Sequence, residues 1–589
     1  MLTPDKANRS IGRATALATR LFDPIGMEVF SNRLLTITED MGNNLIRSSF
    51  STNIKERRDC SVGLFDGQGR LIAQASHIPL HLGSLSGGVG AVLKTCKVSA
   101  MAPGDVFICN DPYLASGTHM PDISVVTPVF WGEEVCFFTA NIAHHSDVGG
   151  SVPGSISSGA RSIFEEGLRI PVIRIARAGE LETDLLNLIV NNSREPVERT
   201  LDIKVQIAVN QRGATAVQEL IRQMGLPAVE VAIEDIIGYT ARRLRKRISG
   251  LTSGSYEFTN FLDDDGTGDG VPVPIRVTVT VDSGKLSFDF TGSGPQAKGA
   301  MNVPLSALQA TVYYCVKALL DPHLMPNSGA FDAIRIFAPE GTITNPCFPA
   351  SVGARSITCQ KIAGAIFGAF RGILPPEKVY ASSNDVLPAV VFSGQLTKRS
   401  GMYVYLETIG GGAGAGYQLD GMDGVQVHVT NSANLPVEAL ENEYPLFVDE
   451  YSLVADSGGA GRHRGGLGIA RQIRVMCDET VFSARSDGHI FAAAGAFEGH
   501  EGAKGRLILN PSTAQERILA SKVSSIVLKE GESVRIETPG GGGFGSPHER
   551  PLGLLAQDIR GGKVSRAAAE RQYGVAKVAL AMDESQKSD

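Results

Sequence analysis

No run of about 18 apolar residues occurs anywhere in the 589-residue chain, so nothing in it is expected to span a membrane. No dense basic tract stands out against a net charge of −7, which removes the electrostatic case for binding nucleic acid. None of the eight cysteines sits in a C-x-x-C pair, and they are spread from Cys60 to Cys477. That spread argues against a disulfide framework and a zinc ribbon, and predicts reduced, mostly buried thiols in a cytoplasmic protein. No G-x-x-x-x-G-K-[ST] occurs, so the chain offers no P-loop, and no cofactor-binding residues are assigned to it. No G-x-S-x-G stands between a strand and a helix, which removes the nucleophile elbow. A secretory h-region is also missing, and Lys6, Arg9, Arg13 and Arg20 read as a basic N-terminal arm.

What is present is an ordinary globular composition, 43% hydrophobic and 20% charged, in a chain too long for one core. Glycine is abundant, at 67 residues, and much of it falls in clusters such as Gly410–Gly416, Asp456–Gly461 and Pro539–Gly545. These clusters predict tight turns and close backbone approaches. The expected division is a flexible arm over 1–23, an α+β domain over 24–250 and a central α+β domain over 251–400. A glycine-rich, strand-rich domain over 401–575 and a disordered tail over 576–589 complete it.

Asp23-Pro24 opens a helix expected over about 24–48, with Phe30, Leu34, Ile37, Met41 and Leu45 at helical spacing. Phe65 to Arg70 reads as a hairpin turn between two strands. A helix is expected over about 87–98, and others over 180–195, 197–211 and 214–248. Residues 149–159 read as a mobile loop. Segments 256–262, 275–281 and 286–290 read as a meander, with Asp263–Gly270 as an acidic turn. Helices at 304–320 and 356–374 follow, and a final pair at 552–559 and 565–573.

The stretch from Cys109 to Gly150 holds three of the eleven histidines, His119, His144 and His145, with Asp111, Asp122 and Asp147 among them. Two apolar runs, 123–130 and 135–139, separate the His119/Asp122 pair from the His144/His145 pair, and two short strands would bring those polar ends together. Pro121 disfavours a helix between His119 and Asp122. Neighbours on a strand point to opposite faces, so one of His144 and His145 should join His119 and Asp122. Two imidazoles and a carboxylate leave coordination positions open, the pattern of a catalytic metal. Such a metal polarises a carbonyl or activates water. The competing reading is a polar loop whose histidines satisfy backbone groups. The same donors also suit a non-haem iron oxygenase, although its usual H-x-D pair is H-x-x-D here.

Several long motifs then stand in order: RSSFSTNIKERRDCSVGLFDGQGRLIAQASHIPLHLGS, GDVFICNDPYLASGTHMPDISVVTPVF, ANIAHHSDVGGSVPGS, FEEGLRIP, LLDPHLMPNSGAF, DSGGAGRHRGGLG and RIETPGGGGFG. Together they resemble the B-type subunit of the hydantoinase/5-oxoprolinase family, from about Pro24 to Val575. The resemblance implies a large multi-domain α+β fold with mixed and antiparallel sheets and flanking helices. It implies a two-component, ATP-dependent enzyme, an (αβ)2 heterotetramer in which an A-type subunit with an actin-like fold binds ATP and magnesium. In the acetone carboxylase relatives the metal set is a histidine, an aspartate three residues on and a histidine about 25 residues later. Those positions match His119, Asp122 and His144, for a divalent ion such as zinc or manganese, with iron as a further candidate. Asp40, Asp59 and His145 become candidates for orienting water or a ligand imidazole. The length of the chain favours opening of a lactam, hydantoin or 5-oxoproline-type ring. The alternatives are a bicarbonate-using ketone carboxylase component and a non-catalytic scaffold for the A-type subunit.

Overall fold

The computed structural model describes residues 23–397 and 401–586. The expected arm over 1–22 lies outside them, as do 587–589. Among the described residues, no helix is long and apolar enough to cross a membrane. All eight cysteines are free thiols, four of them buried.

Helix α1 (Pro24–Ser48) starts where the Asp23 carboxylate accepts from the backbone N–H of Ile25 and Gly26, and it buries Phe30, Leu34, Met41 and Leu45. The first sheet is antiparallel throughout, with strand order β2-β1-β5-β4-β3-β6-β7. Its strands are β1 (Cys60–Asp66), β2 (Leu71–Gln74), β3 (Val106–Cys109), β4 (Asp122–Trp131), β5 (Glu134–His144), β6 (Ile173–Arg177) and β7 (Glu180–Leu181). The expected hairpin turn joins β1 to β2. Almost every residue of β4 is buried, because helices cover both faces of the sheet. On one face Leu85, Val89 and Val92 of α2 (His81–Thr95) pack on Val126, Phe138 and Ile142. On the other, Val209, Val217 and Leu220 of α3 (Pro196–Met224) pack with Val62, Val129 and Phe137.

Two helix boundaries differ from expectation, and glycine explains both. The break expected near residue 212 lies instead between α3 and α4 (Leu226–Ser249), at Gly225, whose φ is 80° and which precedes Pro227. Gly213 sits inside α3, where a Cβ would overlap the Met41 side chain; its absence lets α1 and α3 touch. Likewise α2 begins at His81 rather than at residue 87. Gly83 and Gly87 are helical positions that let Ser306 and Ser116 approach its backbone.

The second sheet, β8 (Gly254–Leu262), β9 (Val273–Asp282), β10 (Lys285–Asp289) and β11 (Ile334–Phe337), is antiparallel except for a parallel β10–β11 pair. It shares a core with α5 (Leu305–Leu320) and α6 (Arg355–Phe370). The third sheet pairs β12 (Ala389–Gln395) with β13 (Met402–Thr408) and, on its other edge, β16 (Thr480–Arg485) followed by β19 (Lys522–Leu528). The boundary expected at 400 thus cuts through the β12–β13 hairpin. The fourth sheet runs β14 (Leu446–Leu453), β15 (Ile469–Val475), β20 (Ser533–Glu537), β17 (Arg506–Leu509), β18 (Arg517–Leu519), and shares a core with the third.

The C-terminal glycine clusters are mostly extended. Extended segments around residues 411–416, 457–468, 493–505 and 539–545 lie side by side and bond backbone to backbone. Gly466 N–H donates to Ala413, Gly541 to Gly466, Gly459 to Gly541 and Ala415 to Gly542, all at 2.8–3.0 Å. A Cβ on Gly465 would overlap the carbonyl of Gly541, and one on Gly541 that of Ala413. The close approach was expected; of the turns, one stands at Asp456, where the 456–461 cluster begins, and the rest of these segments are extended.

Among the described residues, two segments expected to be mobile are held by specific contacts. The Asp147 carboxylate accepts from the N–H of Gly149 and Gly154 at 3.0 Å and from Arg194 Nη1 at 2.8 Å, which pins the 149–159 loop. The tail expected to be disordered from 576 continues as a helix, Val575–Gln586. Its Val578 and Ala581 pack on Leu555 and Ala569 of the preceding helix pair, Leu552–Arg560 and Arg566–Tyr573.

Candidate metal centre

Strand β4 begins at Asp122 and β5 ends at His144, and the two are register partners. His119 precedes Asp122 by one turn, closed by an Asp122 N–H to His119 carbonyl bond of 3.3 Å. His119, Asp122 and His144 are all buried and present ligand atoms within 4.8 Å of one another.

His119 Nδ1 lies 3.1 Å from the Gly353 carbonyl oxygen and can only donate to it, which puts the ring proton there. Nε2 therefore turns a lone pair towards Asp122 Oδ1, at 3.3 Å. Burial, helped by Arg355, pulls the His119 pKa down to about 4, so the ring is neutral. Neither His119 Nε2 nor Asp122 Oδ1 has a hydrogen-bond partner. Two buried electron-pair donors facing each other are unfavourable unless a cation lies between them. Two ligands on one ion at about 2.1 Å are spaced by roughly such a distance. The donor set and its two orphaned atoms fit a divalent metal.

Asp122 Oδ2 accepts from Thr118 Oγ1 at 2.7 Å and from Arg355 Nη2 at 2.5 Å. Burial opposes ionisation of this carboxyl, but the charges around it, the Arg355 guanidinium among them, outweigh it and hold the pKa well below the usual range. Asn53 fixes His144: its amide nitrogen is 2.5 Å from the His144 carbonyl oxygen and 3.1 Å from Nδ1. Asn53 is itself held through Oδ1 by the buried Arg57.

The other sequence candidates divide. Asp59 reaches the cluster through His81, whose Nε2 is 3.6 Å from Asp59 Oδ1 and 3.5 Å from Asp122 Oδ1. Burial raises the Asp59 pKa against the pull of His81 and Arg57. His145 points to the opposite face of the sheet, where Nε2 meets Gln206 Oε1 of α3 at 3.0 Å, so it does not touch the cluster. Asp40 is exposed on α1 and joins none of these contacts. Asp111 also turns away, bonding the N–H of Tyr113 and Leu114 and pairing with Arg169.

Several participants have no local sequence signal, because they arrive from distant segments. Glu166 Oε1 accepts from Val352 N–H at 2.8 Å and Gly353 N–H at 2.6 Å, and so holds the loop whose carbonyl orients His119. Burial, working against those bonds and the Ser351 hydroxyl, pushes its pKa up to about 7. Arg485, the last residue of β16, donates from Nη1 to the same Gly353 carbonyl at 3.1 Å. His81, the first residue of α2, brings its Nε2 within 3.5 Å of Asp122 Oδ1.

The hydantoinase B/oxoprolinase family profile matches residues 23–547. An uncharacterised protein of Methanocaldococcus jannaschii is 37% identical, over 94% of this chain and 96% of its own. The B component of a putative D-/L-hydantoinase from a Pseudomonas species is 32% identical, over 94% and 95%. 5-Oxoprolinase 1 of Arabidopsis thaliana is 33% identical over 90% of this chain, which spans only 42% of that longer protein. The ATP-dependent caprolactamase from Pseudomonas jessenii has a similar structure, with a TM-score of 0.86 at 27% identity over 94% of this chain and 97% of that one. An acetone carboxylase shares the fold, with a TM-score of 0.85 at 19% identity over 97% and 84%. With most of its length matched by that profile and by these relatives, the chain belongs to the hydantoinase B/oxoprolinase family.

Proposed function

We propose that this chain is the metal-holding B-type component of an ATP-dependent hydrolase that opens a lactam, hydantoin or 5-oxoproline-type ring in the cytoplasm. It works with an A-type ATPase subunit, as an (αβ)2 heterotetramer. The observation that carries the reading is the pair of orphaned buried atoms, His119 Nε2 and Asp122 Oδ1, with His144 beside them. The names of the relatives, hydantoinase, 5-oxoprolinase and caprolactamase, give the reaction class.

His119, Asp122 and His144 would hold the ion, zinc or manganese before iron. When bound, such an ion supplies Lewis-acid polarisation of a carbonyl and activation of water. The surrounding residues keep this donor set ready. The Gly353 carbonyl keeps the proton of His119 on Nδ1. Thr118 and Arg355 occupy Asp122 Oδ2, so only Oδ1 faces inward. His81 Nε2 lies 3.6 Å from Asp59 Oδ1 and 3.5 Å from Asp122 Oδ1, so its ring stands between the donor set and Asp59. Amide resonance makes the ring a poor electrophile, and phosphorylation of its carbonyl oxygen by the partner would create a leaving group. The 5-oxoprolinase relative is more than twice as long as this chain and has length for both functions.

The test is to purify the chain with its A-type partner and follow ADP release and ring opening on 2-pyrrolidone, hydantoin and 5-oxoproline. Ring opening coupled to ATP is expected. Label from bicarbonate retained in a product would replace hydrolysis by carboxylation, and oxygen uptake without ATP would sink both.

A further inference from the structure

Three guanidiniums are buried around the cluster, those of Arg57, Arg355 and Arg485, and each keeps an Nε–H without an acceptor. Two of them are otherwise answered. Arg355 pairs with Asp122 at 2.5 Å. Arg57 bonds the Leu406 carbonyl at 2.8 Å and Thr408 Oγ1 at 2.7 Å, and lies 4.0 Å from Asp59. Arg485 differs. Its guanidinium makes a single hydrogen bond, to the Gly353 carbonyl at 3.1 Å, and forms no ion pair among the described residues. A guanidinium carries five N–H donors in a planar fork, and burying it without a counter-charge is costly.

The position of Arg485 gives this imbalance a meaning. Its Nη1 and His119 Nδ1 both lie 3.1 Å from the same carbonyl oxygen, which places the guanidinium beside the His119 ring on its Nδ1 side. His119 and Asp122 are wholly buried, while the slight exposure of this region lies on His144 (5%), Asp59 (7%) and Arg485 (5%). Arg485 thus shares with His144 and Asp59 what little exposure this region keeps. A divalent ion on His119, Asp122 and His144 would add further positive charge.

We infer that Arg485 is the receptor for an oxyanion, a carboxylate or a phosphate group, on the molecule that reacts at the metal cluster. The inference rests on reading that cluster as the reaction site, and it narrows the substrate class. A fork of unpaired donors favours a ring that carries a carboxylate, or one activated as a phosphate, over a neutral ring. Burial, with Arg355 and Arg57 nearby, pulls the Arg485 pKa down to about 9 against the opposing pull of Asp59 and Glu166, a penalty that a bound anion relieves.

The test uses the full chain without its partner. Calorimetric titration compares inorganic phosphate, 5-oxoproline and its uncharged analogue 2-pyrrolidone, and metal content is measured separately by elemental analysis. Phosphate or 5-oxoproline should bind, with 2-pyrrolidone at least tenfold weaker. Arg485→Gln should weaken anion binding at least tenfold at unchanged metal content, and Arg485→Lys, which keeps the charge but not the fork, should lie between. Binding of phosphate identifies a phosphoryl ligand; binding of 5-oxoproline alone identifies a carboxylate. The inference is overturned if neither anion binds, if 2-pyrrolidone matches 5-oxoproline, or if Arg485→Gln binds as wild type. Should Arg485→Gln not fold, the charged-against-uncharged comparison on wild type and Arg485→Lys decides. Arg485-dependent anion binding by a chain that takes up no metal would support the receptor and sink the reaction-site reading.

Discussion

Asp122 and His144 face each other as register partners at the open end of the β4–β5 hairpin, so one backbone ladder sets the spacing between two ligands. His119 is added by the turn before β4 and oriented by Gly353, from far along the chain. The ligand set is thus partly local and partly long-range, and the two parts can be tested apart.

Removing His119 should remove the metal without dismantling the protein. His119→Ala is expected to lower metal content at least tenfold and abolish turnover, while the complex with the A-type partner still elutes at its normal size. Full metal and full activity in this variant would end the ligand assignment, and loss of the complex would point to a scaffold role.

Arg355 should be far more structural than its surface-exposed counterparts. Asp122 is ionised, fully buried and paired with it. Arg355→Ala leaves that carboxylate without a counter-ion, which typically costs about 3–5 kcal/mol. Urea unfolding of the metal-free chain measures this. Because Asp122 has a depressed folded pKa, its contribution is present above its unfolded pKa and fades as pH falls through the lower folded value. The variant should therefore lose less stability in strong acid than at neutral pH.

Glu166 predicts a slope of the opposite sign. Its pKa rises from an ordinary 4.5 to about 7 in the fold. A raised folded pKa means that its contribution is fully present below 4.5 and lost as pH rises through 7. Glu166→Gln keeps an acceptor for Val352 and Gly353 but cannot titrate. Thermal unfolding between pH 5 and 7 should fall less steeply with pH in this variant; an unchanged slope would show that Glu166 does not titrate there.

The glycines should respond according to what their missing Cβ would meet. Gly541→Ala forces a methyl into the Ala413 carbonyl, and a loss of several kcal/mol with failure of the last third to pack is expected. Gly90→Ala, inside α2 with open space around it, should stabilise by up to about 1 kcal/mol. Circular dichroism melts of the two proteins check this contrast.

Much of this organisation was legible in the sequence because it depends on local periodicity. The span of α1, the β1–β2 hairpin and the meeting of His119 and Asp122 with one histidine of the 144/145 pair follow from helical spacing, turn chemistry and strand alternation, while the choice of His144 came from the family resemblance. Alternation also separated His144 from His145, although nothing local said which would turn inward. What stayed hidden depends on chain segments meeting from far apart. Arg355, Arg485 and Gly353 carry no local mark of the histidines they serve. Glycine misled in both directions: Gly213, in the gap expected between two helices, lies within one, and the C-terminal clusters expected as turns are mostly extended.

The glycine-packed segments bear on how the protein is made. Residues 411–416 bond to Gly466, Pro539 and Gly542, and residues 493–505 bond to Ser457, Ala460 and segment 540–545, so an incomplete set leaves backbone groups with nothing to bond. During synthesis this region must wait until Gly545 has left the ribosome, so it closes in one late step while the β4–β5 hairpin can already have formed. A chain stopped shortly before that point would present several unpaired extended backbones at once, the kind of surface on which nascent proteins aggregate.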